Sequence, residues 1–296
     1  MSHSSEELLQ SFRAMLPGIC DLHMHAEPDV WARAVDDAQI AESCRNAGFR
    51  AIVLKSHDCE TCCRAYLVRK MVPDFDCFGS ICMNKTHGDR VNPFAVEQAL
   101  KLSGHLLRIV WMPTNQSVWD SHRRGRTFAG VPVTDGAGHV LPEVIRTMEL
   151  CAAADIIFAT GHSAPAESVL LARAARKAGV KRCVITHVTS DIWRHTDDQI
   201  KACVDEGAYI EHCGVALLWG PGTGMPNFEL TSAETMAHQI MLAPERSFLS
   251  SDLGSKDMPL PPEGLLQVFE LLHEQGVPMN VLHSMTHEVP GRLLGL

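Results

Sequence analysis

The chain has 296 residues, 46% of them hydrophobic, and a formal net charge of −9. This length and composition suit one large α/β domain with an ample core. The negative charge, without a Lys/Arg-rich block, argues against nucleic acid as a partner. No apolar run approaches the roughly 18 residues of a membrane span, and the N-terminus has neither the basic stretch nor the apolar core of a signal peptide. We therefore expect a cytoplasmic protein with no membrane partner.

The 11 cysteines are scattered through predicted helices and strands. This pattern is typical of reduced, buried thiols and not of a secreted disulfide framework. Cys59 and Cys62 have redox spacing and Cys63 follows them, but no second cysteine pair completes a structural zinc site. We expect neither a redox role nor a structural metal here.

A strand followed by a helix recurs along the chain after one leading helix. That helix is predicted over 6–15, with Ser4 or Ser5 as its cap, and Pro17-Gly18 ends it. Strands are predicted at 19–25, 51–55, 75–82, 106–112, 156–160, 182–186, 209–212 and 247–251. Helices are predicted at 36–47, 61–71, 92–104, 142–153, 163–178, 197–206 and 231–241, with further helical stretches to the C-terminus. Ser163 is the predicted cap of the helix after the fifth strand.

The longest interruption of this pattern spans 113–140. It contains Asp135-Gly136, which favours a small hairpin, and we interpret it as a loop insertion and not as a domain boundary. Eight strand–helix units predict an α/β fold, a (β/α)₈ TIM barrel with an N-terminal helix and a long insertion between the fourth strand and its helix. We expect one domain over 1–296, with the leading helix at 1–17 and the barrel proper at 18–296. A doubly wound sheet is the alternative, but it gives no reason for eight units, and no nucleotide-binding glycine motif follows a strand.

The first strand ends in His-x-His, at His23 and His25. Side chains alternate along a strand, so Asp21, His23 and His25 share one face. In a barrel of this kind the active site lies at the C-terminal ends of the strands. Residues of metal-ligand type lie at six of those ends: His23, His25, Lys55, His57, His162, His187, Glu211, His212 and Asp252. Lys55 belongs to this list as a cation that shares a face with His57. So many such groups at strand ends predict a metal site.

Aromatic and basic residues also fall near the strand ends. All five tryptophans lie there or in the following loops: Trp31, Trp111, Trp119, Trp193 and Trp219. They are interpreted either as anchors for the loops or as walls of a pocket for a small organic substrate. The insertion carries Arg123, Arg124 and Arg126, which form either a solvated basic stretch or a site for an anionic group. Trp111 and Arg124 are our candidates for substrate binding.

The sequence resembles the amidohydrolase superfamily of metal-dependent barrels over nearly the whole chain. The resemblance rests on His23-Met-His25, His162 in Ala-Thr-Gly-His-Ser, His187 in Ile-Thr-His-Val-Thr and Asp252 in Ser-Ser-Asp-Leu-Gly. Residues 289–296 also resemble the closing helix of this superfamily. Lys55-Ser-His57 and Trp111-Met-Pro-Thr resemble a sparsely characterised branch of it.

The sequence departs from the superfamily in the residue that bridges two metals. Many relatives place a carboxylated Lys or a Glu on strand three or four, where this chain offers no such ligand. Strand two carries Lys55 and His57 instead, and residues 51–58 resemble the second motif of the polymerase-and-histidinol-phosphatase family, where a strand-two His binds metal. That family ends with Asp-x-His, whereas this chain has Asp252-Leu-Gly254. One and two metal ions both remain open.

The resemblance implies a metal-dependent hydrolase of a small molecule, acting on an amide, lactone or ester bond. His23, His25, His162 and Asp252 are the expected ligands of a divalent ion, most simply Zn²⁺, because nitrogen-rich sets with an open position suit catalytic zinc. Mn²⁺ and Fe²⁺ suit the same ligand types. By resemblance, Asp252 takes a proton from the attacking water and passes it to the leaving group.

The remaining candidates have two expected roles each. His187 binds a second metal or stabilises the oxyanion, and Lys55 bridges two metals if carboxylated or acts as a cation beside the substrate. His57 is the candidate second-site ligand. Asp21, one strand repeat deeper than His23, is expected to orient a ligand imidazole without binding the ion.

Three other functions remain open at this point. Some single-metal relatives are non-oxidative decarboxylases of small aromatic or unsaturated acids, which the tryptophans and arginines would suit. A phosphoesterase is the second alternative. A non-catalytic metal- or ligand-binding barrel is the third, and it would need a coordinatively closed ion. The sequence leaves open whether the protein forms a homo-oligomer.

Overall fold

A computed structural model describes residues 5–190 and 192–296. In this part of the chain, eight parallel strands pair in sequence order, from β1 to β8. Their bounds are β1 Cys20–Met24, β2 Ala51–Leu54, β3 Asp76–Cys82, β4 Leu107–Trp111, β5 Ile157–Ala159, β6 Cys183–Ile185, β7 Tyr209–Cys213 and β8 Ser247–Ser250. The strands β1, β2, β5, β6 and β8 are buried along their whole length, as expected of a parallel sheet covered on both faces.

The sheet curls into a nearly closed barrel. Its two edges meet where Met24 forms a parallel bridge with Leu253. There the amide of His25 donates to the carbonyl oxygen of Leu253 at 2.8 Å, and the amide of Asp252 donates to that of His23 at 2.7 Å. These bonds join the first strand to the segment after the last one, so they bring His23, His25 and Asp252 together. The predicted (β/α)₈ barrel is confirmed.

Helices alternate with the strands and form the outer layer. Their bounds are α1 Ser5–Ala14, α2 Asp37–Asn46, α3 Cys62–Met71, α4 Pro93–Lys101, α5 Val118–Arg123, α6 Pro142–Ala154, α7 Pro165–Lys177, α8 Asp197–Asp205, α9 Ala233–Leu242, α10 Pro261–Glu274, α11 Met279–His283 and α12 Val289–Leu294. The leading helix α1 packs on α10, where the rings of Phe12 and Phe269 lie 6.1 Å apart. Ser4, one of its two predicted caps, lies outside the described residues.

Local sequence explains where most helices begin. The Asp36 carboxylate accepts from the amide of Gln39 at 2.8 Å, and the Gln39 side chain accepts from the amide of Asp36 at 3.0 Å. This reciprocal pair is a capping box and starts α2. The predicted cap Ser163 is wrong, because its hydroxyl donates to the carbonyl of Thr160. Helix α7 begins one residue later, where Glu167 accepts from the amide of Ala164 at 3.0 Å.

The long insertion after β4 is confirmed as a loop with little structure of its own. It contains α5, whose cap is Ser117, which accepts from the amide of Asp120 at 3.0 Å. The expected small hairpin is a single antiparallel bridge between Thr134 and Val140. All eleven cysteines are free thiols. Among the described residues, no helix has both the length and the apolar character that a bilayer crossing requires.

Candidate metal centre

The strand ends enclose a small inner cavity of about 80 Å³. Several predicted site residues line it together with aromatic and basic side chains: His25, Arg33, Lys55, His57, Arg124, His162, His187, Trp193, Trp219, Met225, Phe228, Asp252 and Ser255. A wider outer cavity of about 460 Å³ adjoins it and shares Arg124 and Phe228 among its walls. The inner cavity is therefore the end of a passage that reaches the surface.

His23 is fully buried and contacts Lys55 and Asp252, two residues that line this cavity. Its Nδ1 lies 2.9 Å from Oε1 of Glu211, so that nitrogen donates to the carboxylate. Its Nε2 lies 2.9 Å from Oδ1 of Asp252 and 2.7 Å from Nζ of Lys55. Glu211 therefore fixes the ring so that Nε2 faces the cavity, as carboxylates commonly do for metal-binding imidazoles.

Nε2 of His25 is directed toward the same carboxylate oxygen as Nε2 of His23. This atom lies 3.2 Å from Oδ1 of Asp252. On the other side of the ring, Nδ1 accepts from a guanidinium nitrogen of Arg33 at 3.0 Å. Arg33 is held in turn by Asp29 and by the hydroxyl of Ser255. The guanidinium thus fixes the second ring of the His-x-His pair.

Asp252 joins the two imidazoles from the other edge of the barrel. Its backbone has φ of +51°, a left-handed conformation that Asp adopts more readily than most residues. Gly254 follows because a Cβ there would lie 1.7 Å from the carbonyl oxygen of His25. Only glycine lets the chain pass so close to the first strand. The second carboxylate oxygen, Oδ2, lies 3.6 Å from Nε2 of His187.

His162 and His187 form the opposite wall, with ring centroids 5.1 Å apart. The ring of His187 stacks on Trp193 at 4.5 Å. Nε2 of His162 and Nδ1 of His187 are buried without a hydrogen-bond partner. Because buried nitrogens are almost always paired in proteins, these two are candidates for binding a ligand. Asp120 lies 3.5 Å from Nδ1 of His162 and leaves Nε2 free.

Lys55 and His57 follow β2 and both line the inner cavity, as their alternation predicts. The Lys55 ammonium is buried, with its nitrogen 4.5 Å from the ring centre of Trp111. Nδ1 of His57 lies 2.8 Å from the hydroxyl of Thr114. Its ring lies 5.1 Å from that of His25 and 5.8 Å from that of His162. The ring of His57 therefore lies between those of His25 and His162.

Burial keeps most of these imidazoles neutral. It lowers the pKa of His162 to about 4 and places the pKa values of His25, His57 and His187 well below the usual range. Burial also lowers the pKa of His23, but Asp252 and Glu211 outweigh it and raise that pKa. Although burial opposes it, His23 holds the pKa of the Asp252 carboxyl well below its usual range. Neutral imidazoles and an ionised carboxylate are the forms that bind metal ions.

Some predicted residues lie outside the cavity. Trp111 is buried against His23, with its ring centroid 4.8 Å from the imidazole, and does not line either cavity. His212 points away and pairs with Thr189 and Ser247. Arg123 and Trp119 lie together in a separate groove. Arg126 and Trp31 line only the outer cavity.

The expected contact of Asp21 is wrong. Its Oδ1 accepts from the backbone amides of His23 at 3.2 Å and Ser251 at 3.0 Å, and it contacts no imidazole nitrogen. Glu211 takes the role that the sequence assigned to Asp21. Burial raises the pKa of Asp21 to about 6. Asp21 therefore ties β1 to the end of β8 through the backbone.

Sequence analysis missed three residues that the structure brings to the site. Cys213 lies 3.9 Å from Nδ1 of His23 and belongs to one compact group of ligand-type atoms with His23, His187 and Asp252. Arg33 and Asp120 hold the rings of His25 and His162. Burial keeps the pKa of the Cys213 thiol well above its usual range, so it does not compete as a thiolate. Cys213 lies two residues after Glu211 in a strand, so the two side chains share one face. This alternation was the available signal for Cys213.

The residues present fit a divalent metal ion. Two Nε2 atoms converge on one carboxylate oxygen, and two further imidazoles have unpaired buried nitrogens nearby. Nitrogen and carboxylate donors of this kind suit Zn²⁺ and also other first-row metals. The donor atoms therefore suit a metal ion, and two imidazoles remain beyond the first three donors.

Residues 18–211 match a family model described as "Family of unknown function (DUF6282)". The chain belongs to this family. The matched residues include the His-x-His pair, Lys55, His57, His162 and His187, and they end before Asp252. A search of curated proteins finds no match.

Solved structures similar to this fold cover nearly the whole chain. An amidohydrolase from Pseudomonas aeruginosa is 11% identical with a TM-score of 0.61, over 98% of this chain and 99% of that chain. The probable dipeptidase PvdM from Pseudomonas aeruginosa is 11% identical with a TM-score of 0.62, over 99% and 98%. A lactonase template engineered for organophosphate hydrolysis is 16% identical with a TM-score of 0.58, over 95% and 97%. The predicted resemblance to amidohydrolases is confirmed for the fold.

Proposed function

We propose that this protein is a metal-dependent hydrolase that cleaves an amide, lactone or ester bond in a small organic substrate. One observation carries the proposal. The Nε2 atoms of His23 and His25 meet Oδ1 of Asp252 within 3.2 Å, at the closed end of a passage from the surface. The similar folds of an amidohydrolase and a lactonase template support the same class of reaction.

The proposed ligands of a divalent ion are His23, His25, His162 and Asp252. Zn²⁺ is the simplest ion for this set, and Mn²⁺ or Fe²⁺ suit it as well. A divalent ion held there would supply a nucleophile at neutral pH, by lowering the pKa of water from about 15.7 toward 7, and would polarise a carbonyl group. His57 and His187 would hold a second ion in a two-metal form, in which a carboxylated Lys55 would be a further ligand.

Asp252 is the proposed general base. Its carboxyl stays ionised because its pKa is held low by His23. Oδ1 faces the His-x-His pair while Oδ2 is directed toward His187. The free side of the carboxylate accepts the proton of the attacking water and donates it to the leaving group.

In the alternative form with one metal ion, His187 and Lys55 are proposed to stabilise charge in the transition state. Trp193 stacks on His187 and holds its ring against the cavity. A ring nitrogen fixed in this way donates a hydrogen bond to a developing oxyanion without having to reorganise. Lys55 lines the same cavity and would supply a positive charge there, beside the aromatic walls of Trp193, Trp219 and Phe228.

Arg124 is proposed to select a substrate with an anionic group. It lines both the inner and the outer cavity, and its guanidinium lies 4.9 Å from the ring centre of Phe228. Asp120 accepts from its Nε at 2.6 Å, so the terminal nitrogens are free to bind a carboxylate. The volume of about 80 Å³ at the inner end admits only the reacting group, with the rest of the substrate in the outer cavity.

The proposal is tested with protein stripped of metal and then reloaded with Zn²⁺, Mn²⁺ or Fe²⁺. We expect hydrolysis of at least one carboxylate-bearing amide, lactone or ester with the reloaded protein and none with the stripped protein. The variant His25→Ala should be inactive under both conditions, and His238→Ala, which changes an exposed histidine of α9, should match the parent. Equal activity of stripped and reloaded protein would contradict the proposal.

The second candidate is a non-oxidative decarboxylase of a small aromatic or unsaturated acid. It is favoured by the aromatic walls of Trp193, Trp219 and Phe228 beside the basic groups of Arg33 and Arg124. Release of carbon dioxide without formation of an alcohol or amine would identify this reaction. The hydrolase hypothesis predicts formation of an alcohol or amine without release of carbon dioxide.

A further inference from the structure

A second polar cavity, separate from the metal centre, lies between the loop after β6 and the start of α9. Its volume is about 350 Å³, at the lower end of ordinary ligand pockets. Its walls are Thr189, Arg194, His195, Glu229, Leu230, Thr231, Ser232, Thr235 and Gln239. None of these residues lines the inner or outer cavity described above.

Three residues on the walls of this cavity carry buried polar atoms without a partner. Both ring nitrogens of His195, Oγ1 of Thr231 and Oε1 of Gln239 are buried without a hydrogen-bond partner. The three side chains are only 3%, 9% and 5% exposed, so bulk water does not satisfy them. Proteins pair nearly all buried polar groups, and a cluster of unpaired ones indicates a place for a ligand or for bound water.

The unpaired groups are held in place by other bonds. The amide of His195 donates to the carbonyl of Val188 at 2.9 Å, which closes the loop. Nε2 of Gln239 donates to the carbonyl of His195 at 3.0 Å and so fixes the amide plane with Oε1 unpaired. The hydroxyl of Thr189 is already paired with His212 at 3.1 Å. These bonds hold His195 and Gln239 in place on the cavity wall.

The cavity carries no net charge. Burial lowers the pKa of His195 to about 4, so its imidazole is neutral at pH 7. Arg194 and Glu229 at the rim pair with each other at 2.9 Å. A neutral imidazole offers one donor and one acceptor, a hydroxyl offers both, and an amide oxygen only accepts. These walls match an uncharged molecule that both donates and accepts hydrogen bonds.

We propose that this cavity is a second binding site, for a small uncharged ligand with neighbouring hydrogen-bond donors and acceptors. A polyol of monosaccharide size and a primary amide share this chemistry. Cationic and anionic ligands are disfavoured because no wall group is free to balance their charge. The site does not depend on the proposed hydrolase activity.

The charge preference is tested by comparing acetamide with acetate, its isosteric anion, and with acetamidinium, its isosteric cation. Ribose tests whether the site binds a polyol. Histidine side chains labelled with ¹⁵N report binding through the ring signals of His195, while His238 on the exposed side of α9 serves as the internal reference. We expect saturable shifts of His195 with acetamide, ribose or both, at about millimolar dissociation constants. Acetate and acetamidinium should bind at least about tenfold more weakly.

The variant Thr231→Val separates binding from folding because it keeps the volume and removes one unpaired hydroxyl. We expect it to melt at the parent's temperature or higher without ligand, and to bind the neutral probes about tenfold more weakly. The control His238→Gln should bind like the parent. Three results would overturn the proposal: no saturable shift of His195 with any probe, binding at crystal concentration only, or crystals soaked in the probes that show water alone in the cavity.

Discussion

Oε1 of Glu211 lies 2.9 Å from Nδ1 of His23, although the two residues are 188 positions apart in the chain. Ser250 supports this carboxylate by donating to the same oxygen at 2.7 Å. The bond leaves Nε2 of His23 directed toward Asp252 and Lys55. The tautomer that a metal ion needs is thus set by a residue of β7.

The variant Glu211→Gln is expected to lower metal affinity by about 10–100-fold, as loss of such supporting carboxylates typically does. Gln keeps the size of the side chain and loses the charge that favours the Nδ1–H tautomer. Competition with a chromophoric chelator measures the affinity. Glu229→Gln, which changes an exposed carboxylate, should bind metal like the parent, and an equal affinity in both variants would show that Glu211 does not support the site.

The variant Asp252→Asn is expected to keep at least part of its metal and to lose about 10²–10⁴-fold in turnover, the usual contribution of general acid–base catalysis. The amide preserves the shape and one oxygen donor but takes up no proton. Metal content and single-turnover rates are measured on the same sample. A variant that holds its metal and turns over like the parent would exclude Asp252 as the base.

The neighbouring residues Arg123 and Arg124 offer a matched pair of variants that tests substrate binding. Arg124→Met should raise KM for a carboxylate-bearing substrate by about tenfold or more, because a charge-assisted hydrogen bond is lost. Arg123 lies in a separate groove, so Arg123→Met should leave KM unchanged. Equal KM values for the two variants would remove Arg124 from substrate binding.

Stability should fall as the pH is lowered below about 6.5, the ordinary pKa of histidine. Burial lowers the pKa of His212 to about 3, so on acidification the unfolded chain takes up this proton first and the folded state loses stability. Each such proton contributes about 1.4 kcal/mol per pH unit to the free energy of unfolding. Urea denaturation of His212→Gln between pH 7 and 4 should show a shallower decline than the parent. An identical slope would show that His212 is protonated in the fold.

The barrel was predictable because strand and helix periods alternate eight times and each strand is a short apolar run. Strand ends were correct to within one or two residues, since Gly and Pro punctuate the connections. The predicted cap at Ser163 was wrong because the helix is capped one residue later. There the side chain of Glu167, in the first turn, accepts from the amide of Ala164. His23, His25, Lys55, His57, His162, His187 and Asp252 were all predicted at strand ends, and the structure brings them together.

What surrounds those residues was harder to predict. Glu211 and His212 are adjacent, and only the barrel's geometry shows that Glu211 faces inward while His212 faces outward. Arg33 comes from a loop, where side-chain direction follows no period. Trp111 was expected in the pocket, yet it packs beneath His23, because the sequence does not show how deep a residue at a strand end lies.

The most direct test is a crystal structure with anomalous scattering at the metal edge, on protein purified without chelator. The account predicts at least one divalent ion bound by Nε2 of His23, Nε2 of His25 and the carboxylate of Asp252, and its loss in His25→Ala. A second ion at His57 and His187 would support the two-metal form. Full occupancy with a metal ion elsewhere in the chain, or a hydrolytically active protein with no ion at these three residues, would contradict it.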